Sequence, residues 1–122
     1  MSLVARHLEA AGIATVIVGS AQDIVETAGV PRFVFVDYPL GNPLGRPDNA
    51  DEQRFTVEAA LELLTSAVAP RMTRRLDLDW GSDEWRSVFM HVGDDNRAEL
   101  MRLGDERRAK QAARKAKAES GA

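Results

Sequence analysis

Phe33-Val34-Phe35-Val36-Asp37-Tyr38-Pro39-Leu40-Gly41-Asn42-Pro43-Leu44-Gly45-Arg46-Pro47 is the stretch that decides the fold. Its first four residues are apolar on both faces, the pattern of a strand buried in a parallel sheet. Tyr38 follows Asp37, and then two Gly and three Pro fall within the nine residues Pro39 to Pro47. Gly and Pro at that density make a turn-rich loop. In open α/β sheets ligands bind outside the carboxyl ends of the strands, so this loop is where a site is expected.

Upstream, Ile13-Ala14-Thr15-Val16-Ile17-Val18 is rich in β-branched residues and apolar on both faces. It reads as a first strand, central in a parallel sheet. Ser2 is placed to cap a preceding helix with Val4, Leu8 and Ala11 on one face and Gly12 as its stop. Between the strands, Ser20 to Asp23 resembles a capping box, and Gly29 closes the short helix it opens. The connection is about the length a parallel crossover requires. The unit is therefore read as a right-handed βαβ.

Downstream, Asn49 and Glu52 are spaced as N-cap and N3 of a long helix. Val57, Ala60, Leu61, Leu64 and Val68 form its apolar stripe, with Arg54, Glu58 and Glu62 opposite, and Pro70 ends it. Arg75 to Trp80 alternates charged and apolar residues, as an edge strand does. Ser82 opens a helix carrying Trp85, Val88, Phe89 and Val92 on one face, closed by Gly93. Asp94 or Asp95 starts a last helix. The fold class is α/β: a small parallel sheet containing a βαβ unit, flanked by helices, a Rossmann-like half-domain with a helical C-terminal region. Residues 1–93 form the α/β domain, and 94–122 a C-terminal helix with a basic, fraying tail. Two strands apolar on both faces leave open edges, which points to further strands from another copy or a partner subunit.

The chain has 122 residues and no cysteine. That excludes disulfides, thiolate catalysis and Cys-ligated metal centres within it. No cofactor or metal is expected. Met1 to His7 lack the start of a signal peptide and no apolar run reaches transmembrane length, so the expectation is a cytoplasmic protein without membrane contact. Net charge is −3. Arg107 to Lys117 carries six positive charges, no acid and no aromatic, so nucleic acid is not the expected partner. Asp77, Asp79, Asp83 and Glu84 around Trp80 lack calcium-loop spacing and read as an acidic surface turn. His7 reads as a solvated histidine and His91 as a partly buried one. Neither has a Ser/Asp partner for a triad.

The candidate site is the loop. Asp37, at the strand end, is the carboxylate for a substrate amine. Gly41, Asn42, Gly45 and Arg46 present backbone N–H groups, an amide and a guanidinium to an anionic group near the next helix. The alternative is a rigid turn whose Gly and Pro only set backbone angles.

Leu8 to Val16, then Pro31 to Pro47, then Gln53, resemble the C-terminal part of selenoprotein B, component B of the glycine/sarcosine/betaine reductases, and the related D-proline reductase subunit. The resemblance covers about residues 4–68 and centres on Pro39-Leu40-Gly41-Asn42-Pro43-Leu44-Gly45. It implies reductive cleavage of a carbon–nitrogen bond in a small amino acid or its N-methyl derivative. The selenocysteine or cysteine of that family lies upstream of the matched part, and this chain has neither. The implied role is a small subunit paired with a separate thiol- or selenol-bearing chain, contributing the loop as a substrate-side or subunit-facing element. A second reading is a non-catalytic binding or assembly module that forms a homo-oligomer. A third is an independent enzyme using Asp37, Asn42 and Arg46.

Overall fold

A computed structural model of the protein describes residues 1–88 and 92–120. The expectations for Phe89 and His91 lie outside the described residues. The elements run α1 (Ser2–Ala10), β1 (Ile17–Gly19), α2 (Gln22–Ala28), β2 (Arg32–Phe35), α3 (Ala50–Ser66), β3 (Met72–Arg75), α4 (Glu84–Val88) and α5 (Arg97–Ser120). The three strands form one parallel sheet in the order β1-β2-β3, so the fold is α/β. Met1 to Arg86 form one compact unit and Ser87 to Ala122 a second.

The central strand is β2, and its alternation divides the core in two. Val34 and Val36 point to one face, where Tyr38, Ala59, Ala60, Leu63 and Leu76 join them. Phe33 and Phe35 point to the other, against Ala5 of α1 and Val25 of α2. Each Val, Leu or Phe among them, buried outright, contributes about 1.5–3 kcal/mol. The helices α2 and α3 thus lie on opposite faces while the chain steps across the sheet in one direction. Two crossovers arranged that way have opposite hands, so one of them departs from the right-handed rule.

Several boundaries differ from the sequence reading. β1 is an edge strand, not a central one, because β3 takes the far side of β2. The third strand lies at Met72–Arg75, just before the alternating segment, where its backbone can pair with Arg32 to Phe35. Within the segment itself, Leu76 is buried, and Leu78 and Trp80 pack under α3 while the intervening aspartates turn outward. Met1 rather than Ser2 caps α1, and Ala21 rather than Ser20 caps α2, neither through a side chain. Ala5 is the residue α1 buries, whereas Val4 and Ala11 are exposed.

The stripe on α3 is also phased differently. The buried face is Thr56, Ala59, Ala60 and Leu63, while Val57 and Leu61 stay exposed; the helix ends at Ser66, before Val68 and Pro70, because Ala67 turns extended. Small residues at Thr56, Ala59 and Ala60 let the helix approach the sheet closely, which bulkier Val57 and Leu61 would prevent.

Other signals stand as read. Asn49 caps α3, its side-chain oxygen accepting from Glu52 N–H at 3.1 Å. Gly29 ends α2 in the left-handed region at φ 72°. Ser82 Oγ accepts from Glu84 N–H at the start of α4. The second unit contains α5, laced by pairs of Arg102 with Glu99 and Glu106 and of Arg108 with Asp105.

Candidate functional site

β2 and β3 end side by side, and the segments beyond their last residues meet at the carboxyl edge of the sheet. Asp37 lies just past β2, and Asp77 and Asp79 just past β3. With Trp80, Asp83, Trp85 and Arg86 they line a cavity of about 330 Å³. Asp37 accepts from Arg86 Nη2 at 2.9 Å and from Arg75 Nη2 at 3.1 Å. Hydrogen bonding from Arg86, opposed by partial burial and reinforced by the charges of Arg86 and Arg75, holds the Asp37 carboxyl below its ordinary range. Asp37 is therefore an ionised carboxylate at neutral pH, not an acid poised to donate.

The arginines are themselves braced. Arg86 Nε donates to Asp83 at 2.8 Å, and its guanidinium lies 4.4 Å from the Trp85 ring centroid. The Arg75 guanidinium lies 5.1 Å from the Phe35 centroid. Cation–π contact of this kind fixes where an arginine can reach. Behind the cavity, the Tyr38 hydroxyl donates to the Asp79 carbonyl at 3.1 Å, and the Tyr38 ring meets Trp80 edge-on at 5.0 Å. Asp79 Oδ1 then accepts from Gly81 N–H at 2.8 Å. The loop that carries the two outer aspartates and Trp80 is thus tied to the core by a buried phenol.

Gly41, Asn42, Gly45 and Arg46 of the Gly/Pro loop do not line this cavity. Asn42 N–H donates to Pro39 carbonyl and Gly45 N–H to Asn42 carbonyl, which makes two successive turns. Gly41 and Gly45 carry the positive φ angles, 101° and 139°. Arg46 folds back onto α3: its backbone N–H, Nε and Nη2 all reach the Glu52 carboxylate. Burial works against ionisation of Glu52, but the side-chain and backbone hydrogen bonds from Arg46 outweigh it, and the carboxyl sits below its usual range. Asp37 lines the cavity, and neither Asn42 nor Arg46 does.

The residues that the sequence reading did not assign to the site are Arg75 and Arg86, with Trp85. The acidic run around Trp80 was visible but read as a turn. Its place immediately after a strand parallel to β2 is the signal that would have marked it. Among the described residues no three His, Asp or Glu side chains gather as metal ligands. No described helix is long and apolar enough to cross a membrane. His7 is exposed on α1. Compared with protein-family models, with curated proteins and with solved structures, the chain gives no match.

Chemically, the cavity offers three things together. Arg86 commits Nε and Nη2 and keeps further N–H donors for an anionic group. Asp77, Asp79 and Asp83 offer acceptors to a cation. Two indole rings offer π faces. A cation and an anion a few ångströms apart on one small molecule would satisfy both sets.

Proposed function

We propose that this chain is a small, non-catalytic α/β subunit that holds a zwitterionic amino acid, or its N-methylated derivative, at the carboxyl edge of its sheet. Reductive cleavage of the ligand's carbon–nitrogen bond is the work of a separate subunit, which supplies the thiol or selenol and the electrons. The observation that carries the reading is the cavity between the ends of β2 and β3, where Arg86, four aspartates and both tryptophans line one small space. The ligand carboxylate meets the guanidinium of Arg86. Its ammonium meets the aspartates, and N-methyl groups favour the indole faces through cation–π attraction. The loop resemblance to reductase component B supports the same ligand class, and a chain without cysteine accords with a redox step carried by another subunit.

The chain has two tryptophans, and both line the cavity. Intrinsic fluorescence therefore reports the site directly. Titration with glycine, sarcosine and betaine is expected to change the emission saturably, with N-methylated ligands binding tighter. Arg86→Ala is expected to weaken binding at least about tenfold, the loss of one charge-assisted contact. Emission that stays flat for all three ligands up to about 100 mM would sink the reading, since even millimolar affinity saturates well below that.

A second reading, a non-catalytic module that assembles with copies of itself, is favoured by the apolar surface beside β1.

A further inference from the structure

We propose that the β1 edge is a self-association surface, on which two copies of the chain pair their β1 strands antiparallel about a two-fold axis. A six-stranded sheet results. This gives the self-assembly reading its surface and does not rest on the ligand reading.

The two sheet edges are built differently. β3 carries Arg74 and Arg75 and is preceded by Arg71, the kind of charge that natural edges use against unwanted pairing. β1 has no such guard. Ala10 to Gln22 is the longest uncharged run in a chain of which 29% of residues are charged, and it holds no proline. Gly19 carbonyl accepts from Val36 N–H on the β2 side at 3.0 Å. By the two-residue alternation of a strand, the N–H and C=O of Val18 therefore face the open edge. Val16 and Ser20 share that direction.

Apolar side chains stand on both faces next to this edge, and one contact from each helix to β3 shows how α3 and α2 are turned. On α3, Glu62 reaches Arg74 of β3 at 2.9 Å, so the flank a third of a turn beyond the buried face, on the other side, leans toward β1. That flank carries Val57, Leu61 and Leu64. On α2, Glu26 bonds Thr73 of β3 at 2.9 Å, so Ile24, on the opposite flank of buried Val25, leans toward β1 as well. There it meets Leu3 and Val4 of α1 along a groove of about 640 Å³. Leu3 is 71% exposed, Ile24 66% and Leu61 58%. The stripe that periodicity marks on α3 is thus a real apolar stripe, turned toward the sheet edge rather than into the monomer core.

A second copy fits this surface. A two-fold interface brings each patch against itself, and the strand edge from Ala10 to Gln22 carries no charge to repel its copy, with Asp23 the one carboxylate that lines the flanking groove. The flanking side chains of α1, α2 and α3 add to the strand contact, toward the ~800 Å² per partner that a stable interface buries. With the axis at Val18, that residue faces its own copy as a hydrogen-bonded pair, and Val16 faces Ser20 of the copy.

The absence of cysteine makes the register testable. In the proposed pair the two Val18 Cα atoms lie about 5.5 Å apart, within disulfide range, while the two Val16 Cα atoms lie about 13 Å apart, outside it. The full chain is expected to run in sedimentation as a particle of twice the 13.4 kDa chain mass at about 50 µM. Under mild oxidation Val18→Cys is expected to give a covalent dimer in at least tenfold excess over Val16→Cys. Ile24→Lys and Leu61→Lys alter exposed positions on opposite faces of the sheet. Each is expected to yield a monomer with an unchanged circular dichroism spectrum. A monomeric wild-type chain, equal cross-linking at both positions, or dimers that survive both lysine substitutions would overturn the proposal.

Discussion

Tyr38 joins the core to the candidate site, and a three-step truncation separates its contributions. The ring is 1% exposed, its hydroxyl donates to Asp79 carbonyl at 3.1 Å, and it meets Trp80 at 5.0 Å with planes 70° apart. Tyr38→Phe removes one partly buried hydrogen bond and keeps the ring, which costs about 1 kcal/mol. For a domain of this size that lowers the melting temperature by about 4–8 °C. Tyr38→Leu also removes the edge-to-face pair, worth about 0.5–1.5 kcal/mol, for a total of about 1.5–2.5 kcal/mol. Tyr38→Ala leaves a cavity and costs about 3–5 kcal/mol. Urea unfolding followed by tryptophan emission measures all three, with Trp80 beside the altered residue as reporter. If Tyr38→Phe matched wild type, the phenol would not be tying the Asp79 loop to the core. If Tyr38→Phe were as damaging as Tyr38→Ala, the division between bond and packing would be wrong.

Asp37 has a folded-state pKa below its ordinary 3.8, held there first by the Arg86 hydrogen bond, so it stabilises the native state above that pH. The contribution fades as pH falls below 3.8, and Asp37→Asn is expected to flatten the fall in urea midpoint between about pH 5 and pH 3. An unchanged slope would place the acid sensitivity elsewhere. Gly45→Ala forces an L residue to φ 139° and sets its Cβ 3.0 Å from Glu52 Cβ, whereas Gly12→Ala, at φ 84°, meets nothing within 4 Å. Thermal melts are expected to rank Gly45→Ala as the more damaging, by more than about 1 kcal/mol. Thr56 is fully buried and its hydroxyl has no hydrogen-bond partner, so Thr56→Val is expected to be neutral or to stabilise by up to about 1 kcal/mol. A clear loss of stability would show that the hydroxyl is satisfied after all.

The sequence made the middle of the fold legible and its margins less so. Phe33 to Val36 reads as a buried strand because burial on both faces leaves its mark in every residue. Asn49 and Gly29 announce their helix ends through local backbone chemistry. The rank of a strand within the sheet is not local. Ile13 to Val18 has the composition of a central strand, yet only Ile17 and Val18 of it belong to β1, and β1 lies at an edge, since which strand lies beside β2 depends on where Met72 to Arg75 comes to rest. That segment has two arginines in four residues, and only its partners, Glu62 and Asp37, explain why charge is tolerated there. The site divided along the same line. Asp37 could be placed from its position at a strand end. The role of Arg46 could not, because Glu52 reaches it only after the two turns of the loop have formed. Arg75 and Arg86 meet Asp37 across 38 and 49 residues of sequence, a contact that no spacing rule encodes.

An all-parallel sheet also sets the order in which this chain takes shape. Ile17 pairs with Phe33 and Arg32 with Met72, so no hairpin exists to nucleate the sheet, and long loops must close before any strand gains a partner. During synthesis Ala10 to Gln22 emerges first and waits for β2. Beyond β2, a further stretch of chain must appear before α3 can cover one face. For that interval the nascent chain displays its least charged segment, β-branched and free of proline, to whatever is nearby. Yield on expression is thus governed by how quickly that segment finds β2, and slowing translation after Phe35 is the point at which folding and aggregation compete most directly.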